Sequence, residues 1–188
     1  MSTSTARITV EQFDQMIANG EFESDQRIEL IHGEVIEMPP PNPPHESIVD
    51  FLMVWSFDNT SREEVRVRIQ NSVGLPELDS VPVPDVAWMR QENYYHRRPL
   101  PEDVLLVIEV SDSTLRKDRT TKADLYASAG LMDYWIVDVN ARRILVHRNP
   151  GPDGYVDKRT YDEAHTITPL AFPSIQLLVA SLFREAGG

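Results

Sequence analysis

The sequence predicts an α/β fold, a mixed β-sheet flanked by helices. Three observations predict it. Apolar runs of strand length occur, such as Val104–Ile108. Helix-period apolar spacing occurs between His45 and Asn59. The two kinds of segment alternate along 188 residues with no repeat or low-complexity tract between them. That length suits one domain with a substantial core, so residues 1–188 are read as a single domain with its core over about 9–183.

Taken in order, Thr9 followed by Val10-Glu11-Gln12 has the form of a capping box, opening a helix to about Asn19-Gly20. Arg27–Ile31 and Glu34–Met38 flank His32-Gly33 and read as a β-hairpin with glycine at its turn. The prolines from Pro39 to Pro44 form a rigid loop, and a helix follows from about His45 to Asn59. Val65–Ile69 alternates like a half-buried strand, and Val83–Met89 is a second strand. Val104–Val110 is almost continuously apolar, which predicts a central strand covered on both faces. Thr114 or Asp118 is positioned to cap the next helix, and Gly130 to end it. Tyr134–Asp138 and Arg143–His147 form a further pair of strands, followed by Tyr155–Tyr161 and a short one near Thr166–Ile167. Ser174–Glu185 closes the chain as a strand and short helix, or as a helix alone.

Composition narrows the function. Hydrophobic residues at 41% and charged residues at 26% describe an ordinary globular protein. No apolar run is long enough to span a membrane, and Met1–Arg7 has no signal-peptide core, so a cytoplasmic location is expected. The absence of cysteine excludes disulfides and thiolate metal sites. A net charge of −12 argues against tight, extended binding of nucleic acid. Positive charge is nonetheless concentrated locally, in Arg62, Arg66 and Arg68, in His96-Arg97-Arg98, and in Arg116, Lys117, Arg119 and Lys122.

The chemistry is carried by an ordered set of charges. Asp85 follows Pro84 at the mouth of one strand, and Glu109 interrupts the apolar run of the next. A carboxylate inside a central strand is costly unless paired or metal-bound. Two such acids side by side suit Mg²⁺, a hard cation that prefers oxygen and retains several waters. Asp85 and Glu109 are therefore the expected ligands, with the carbonyl of Val110 as a third. Lys122, on the following helix, supplies a positive charge beside an anionic phosphorus.

Plainer alternatives exist for each. Asp85 could make a turn hydrogen bond, Glu109 could form a buried salt bridge with Lys122 or Arg116, and Lys122 could pair with Asp118 on the surface. Glu29 could line a cleft or face solvent, and His45 could serve only at a helix start. The five histidines have no zinc spacing, and there is no glycine-rich phosphate loop or nucleophile elbow.

From Thr9 to Phe183 these motifs, taken in order, resemble the Uma-type restriction endonuclease family, a branch of the PD-(D/E)XK nuclease superfamily. The resemblance rests on Arg27–Glu34, Pro43-Pro44-His45, Pro84-Asp85-Val86, Val107–Thr114, Asp118-Arg119 with Lys122, Tyr126–Gly130 and Tyr134–Asp138. It implies a restriction-endonuclease-like fold, a DNA substrate, dependence on Mg²⁺ with Mn²⁺ as a substitute, and a homodimer. Asp85 matches the PD aspartate, Glu109 the central acid, and Lys122 the lysine from the following helix. Glu29 and His45 match further motif positions. Two departures stand out. The superfamily's lysine usually stands two residues after the acid, which here is Ser111, and Asp112 replaces the family's proline.

The expected function is divalent-metal-dependent endonucleolytic hydrolysis of DNA. A non-catalytic dimeric binding module that keeps the fold is the alternative. A nuclease selective for branched or single-stranded substrates would share the same chemistry.

Overall fold

The computed structural model describes residues 7–23 and 25–183, so the expectations for Met1–Ala6, Arg184 and Glu185 lie outside the described residues. Helix α1 (Val10–Ala18) opens on the expected capping box: Gln12 N–H donates to the Thr9 hydroxyl, and Thr9 N–H to the Gln12 side chain. Strands β1 (Ile28–Ile31) and β2 (Glu34–Glu37) then pair antiparallel around His32 and Gly33. Both turn residues have positive φ, 50° and 78°, the two-residue geometry whose twist matches a hairpin.

Helix α2 (Pro43–Asn59) starts two residues before His45, correcting the expected boundary. Asn42 caps it, and Pro43 and Pro44 occupy the first turn, where a missing N–H breaks no helical bond. Strand β3 (Val65–Ile69) matches its expected limits. Strand β4 (Val86–Arg90), expected from Val83, begins only at Val86, since Pro82 and Pro84 have no N–H to give a ladder. It leads through a loop to β5 (Val104–Ser111).

A helical crossover follows: α3 (Leu115–Lys117), a π-helical turn (Asp118–Lys122) and α4 (Ala123–Ser128). Thr114 holds its N-cap position, but its hydroxyl donates to the Asp118 carboxylate instead of capping the backbone. Gly130, at φ 78°, ends the crossover in the left-handed region as expected. Strand β6 (Asp133–Asp138) turns into β7 (Arg143–Gly151) and β8 (Gly154–Asp162). Strand β7 outruns the expected end at His147 because pairing with β8 continues to Gly151↔Gly154. Short strands β9 (Thr166–Ile167) and β10 (Leu177–Leu178) pair with each other, and a 3₁₀ turn covers Val179–Phe183.

The central sheet has the order β3–β4–β5–β6–β7–β8. Only β5 and β6 run parallel, which is why a helical crossover lies between them. Alternation along β5 divides the core. Ile108 and Val110 join a cluster under α2 that contains Trp55, Trp88 and Trp135, with the first two rings stacked 5.2 Å apart. Val107 faces the opposite side, with Leu125, Tyr126 and Tyr134. Glu109 points to this second face, toward the crossover. A third, small cluster of Phe13, Leu30 and Val81 fastens the hairpin to the body. No helix among the described residues is long and apolar enough to cross a membrane.

Candidate active site

Strand register brings the first two acids together. Val86 pairs with Ile108 in the antiparallel β4–β5 ladder, so Asp85, the residue just before β4, lies abreast of Glu109. Asp85 is pinned there by the N–H of Val110, which donates to its Oδ2 at 2.8 Å. Its Oδ1 is 3.2 Å from His45 Nε2 and accepts from Gln70 Nε2 at 3.2 Å.

The crossover then drops Lys122 onto Glu109. Its ammonium nitrogen is 2.8 Å from Glu109 Oε1 and 2.8 Å from Glu29 Oε1. The Tyr126 hydroxyl, one turn further on, donates to the same Glu109 oxygen at 2.8 Å. Among the described residues no hydrogen bond reaches Glu109 Oε2.

The π-helical turn makes this possible. Such turns insert an extra residue into a helix and recur at functional sites. Here the turn buries Asp118 and Lys122 on one side. The Asp118 carbonyl accepts both Ala123 N–H, five residues on, and the Tyr134 hydroxyl. Its carboxylate accepts the hydroxyls of Ser111 and Thr114 at 2.7 and 2.6 Å.

Two further elements close the cleft. The hairpin delivers Glu29, which is fully buried and accepts from the N–H of Val83 while pairing with Lys117 at 3.0 Å as well as with Lys122. Helix α2 delivers His45 from its first turn. The cap residue of that helix, Asn42, also donates to Asp112, whose carboxylate is held from the other side by Asn140. The start of α2 is thus tied to the end of β5.

Four carboxylates surround one buried ammonium, and the electrostatics follow. Burial, reinforced by the charges of Asp85, Asp118 and Glu29, raises the Glu109 pKa although Lys122 opposes it. Burial also raises that of Asp118. Burial acts the same way on Glu29 and Asp85 but is overcome: by Lys122 and Lys117 for Glu29, and by His45 and the Val110 N–H for Asp85. Burial would strip Lys122 of its proton, but Glu109, Glu29 and Asp118 more than reverse this. The hydrogen bond to Asp85 raises the His45 pKa against its own burial.

Asp85, Glu109, Lys122, Glu29, His45 and Val110 therefore all line one cleft, walled by Pro39–Pro41. Glu29 faces that cleft and not solvent. Lys122 is buried against Glu109 and Glu29, which replaces the alternative of a surface pair with Asp118. Arg116, the rival partner of Glu109, is exposed. Val110 engages Asp85 through its N–H.

Sequence reasoning did not assign Asp118, Lys117, Tyr126, Asn42 or Gln70 to the site. For Asp118 and Tyr126 a signal existed, since both stand four residues from Lys122. Among the described residues no three His, Asp or Glu side chains form an all-protein metal cage. Mg²⁺ rarely uses one; it binds through one or two carboxylates and keeps waters for the rest. The donor set fits such an ion: hard oxygens, an excess of negative charge, and an unengaged Glu109 oxygen.

The family model for Uma2, described as "Putative restriction endonuclease", matches residues 10–180. Among solved structures, the chain is similar to "a putative nuclease belonging to DUF820" from Anabaena variabilis ATCC 29413. The two are 19% identical with a TM-score of 0.74, over 94% of this chain and 97% of that one. At that identity the likeness shows a shared fold, a central mixed sheet flanked by helices. No curated protein matches the chain.

Proposed function

The chain belongs to the Uma2 family, and from that premise we propose that it is a divalent-metal-dependent endonuclease that hydrolyses phosphodiester bonds in DNA. The observation that carries the reading is the meeting of Asp85, Glu109 and Lys122 in one cleft, although the lysine comes thirteen residues after the acid. Asp85 and Glu109 would hold Mg²⁺ or Mn²⁺, with the Val110 carbonyl as a third oxygen. The chemistry such an ion supplies when bound is polarisation of a phosphoryl oxygen and acidification of water.

The chain's own residues do the rest. An ammonium has three donors, and Glu29 and Glu109 occupy two on Lys122. The third is left to a non-bridging phosphate oxygen, where a fixed positive charge stabilises the crowded transition state. Glu29 orients Lys122 and Lys117 together. His45 and Gln70 hold the Asp85 carboxylate in place, and Tyr126 does the same for Glu109. Ser111, at the superfamily's usual lysine position, instead fastens Asp118.

Supercoiled plasmid incubated with Mg²⁺ or Mn²⁺ tests the proposal. Wild type should nick or linearise it, and Glu109→Gln and Lys122→Met should each lower the rate by roughly 100-fold or more. Equal cleavage by all three would overturn the assignment. No cleavage by wild type, together with no Mn²⁺ binding heat that depends on Asp85, would favour the non-catalytic module.

A further inference from the structure

We propose that Arg116, Arg119 and Lys158 form a track for the DNA phosphate backbone, running from the cleft across the outer face of the crossover to β8. The inference rests on the nuclease reading and extends it from the scissile phosphate to its neighbours along the strand.

The crossover supplies the geometry. Asp118 and Lys122 face inward and Lys117 lines the cleft, which leaves Arg116, Arg119 and Thr120 exposed on the outer side at positions i, i+3 and i+4. With Leu115 they line one shallow groove. A second groove is lined by Arg119, Leu145, His147, Lys158, Thr160 and Arg159, the last paired with Asp157. Arg119 belongs to both, so the two are continuous. Thr114, Lys117 and Asp118, which line the cleft, alternate along the chain with Leu115, Arg116 and Arg119 of the groove, so cleft and groove lie on either side of one short helical segment.

Charge supplies the occupant. The chain has 30 acidic and 18 basic residues, and Arg97, Arg142, Arg143 and Arg159 are each paired with a carboxylate, whereas among the described residues Arg62 and Arg66 are not. Among the described residues, Arg116, Arg119 and Lys158 have no carboxylate within ion-pair distance. The field they create is felt inside the protein. Next to burial, the charges of Lys158 and Arg119 are what oppose protonation of His147. Unpaired cations leading away from a phosphodiester site suit a polyanion with regularly spaced charges, and flanking phosphates are what the strand presents there. The acidic remainder of the surface repels the same polymer and confines it to this path.

The test is the salt dependence of binding. A short labelled DNA duplex is titrated with protein in EDTA, which prevents cleavage, and anisotropy is followed across a range of NaCl. Each phosphate neutralised contributes about 0.9 to the slope of log K against log salt. The double variant Arg119→Gln/Lys158→Gln should therefore lose about 2 from that slope and bind roughly tenfold more weakly or worse at low salt. Arg62→Gln, which removes one exposed charge from the turn between α2 and β3, should leave the slope unchanged.

An unaltered slope in the double variant overturns the track, as does a loss of about 0.9 from Arg62→Gln, the same per charge. Wild-type protein that binds with the full slope yet never nicks plasmid overturns the nuclease reading and leaves the track standing. Cleavage with slopes that do not differ does the reverse.

Discussion

The role proposed for Glu109 depends on its neighbours, because burial raises its pKa and Lys122 opposes the rise. Alone in a central strand it would take up a proton, and Lys122 and Tyr126 both press a hydrogen-bond donor onto one of its oxygens. Tyr126→Phe removes one donor without changing the ring. It should cost about 1 kcal/mol of stability and lower cleavage several-fold while leaving the crossover folded, as read by urea titration and plasmid assay. His147 gives a pH prediction. Burial, with Lys158 and Arg119 nearby, pulls its pKa down from 6.5 to about 4. Between those values the unfolded chain binds the proton and the folded one does not. Stability therefore falls with pH from 6.5 toward 4, by at most about 1.4 kcal/mol per pH unit. His147→Phe, in a ring cluster with Tyr134 and Tyr155, should flatten that part of the profile in denaturant titrations at pH 7, 5.5 and 4.5.

At the level of elements, the π-helical turn is what carries Lys122 inward to Glu109 and Glu29. Deleting the exposed Thr121 removes one residue and turns the chain before it by about 100° relative to Lys122. The helix should survive by circular dichroism, while Mn²⁺ binding and cleavage are lost. This turn also marks where sequence reasoning stopped. The capping box at Thr9, the hairpin at His32-Gly33 and the helix end at Gly130 were legible because each is set by a local steric or hydrogen-bonding rule. Glu109 was legible because a charge in an apolar strand demands a partner. The start of α2 was missed despite a local cap at Asn42, because the preceding prolines read as loop. The π turn falls in Asp118–Lys122, a stretch with no apolar residue to mark a shift in periodicity, and what favours it is distant, the Tyr134 hydroxyl on the Asp118 carbonyl. Asp118 is read from the sequence only as a helix cap or a surface partner of Lys122, since a shared helix face describes a surface pair equally well.

For the whole molecule, four carboxylates crowd one end of the sheet, and on the metal-dependent reading a bound cation would relieve their repulsion. Mn²⁺ at about 100 times its dissociation constant should stabilise the fold by about 2.7 kcal/mol, raising the melting temperature by roughly 5–10 °C. Asp85→Asn should abolish the shift, read by differential scanning fluorimetry with and without EDTA. The sheet and its tryptophan cluster are a separate reservoir of stability: Trp55→Ala should cost about 3–5 kcal/mol whether or not metal is present, measured by urea titration.

The site draws on both reservoirs unequally. Glu29 arrives on a two-stranded ribbon outside the main sheet, anchored by its own small apolar cluster and an isolated bridge between Leu30 and Val81. A molecule whose ribbon has swung loose would release both lysines yet leave every tryptophan in place. On the nuclease reading such a molecule would be silent as a catalyst yet indistinguishable from its neighbours by fluorescence, so a purified sample could look homogeneous while only a fraction of it turned over.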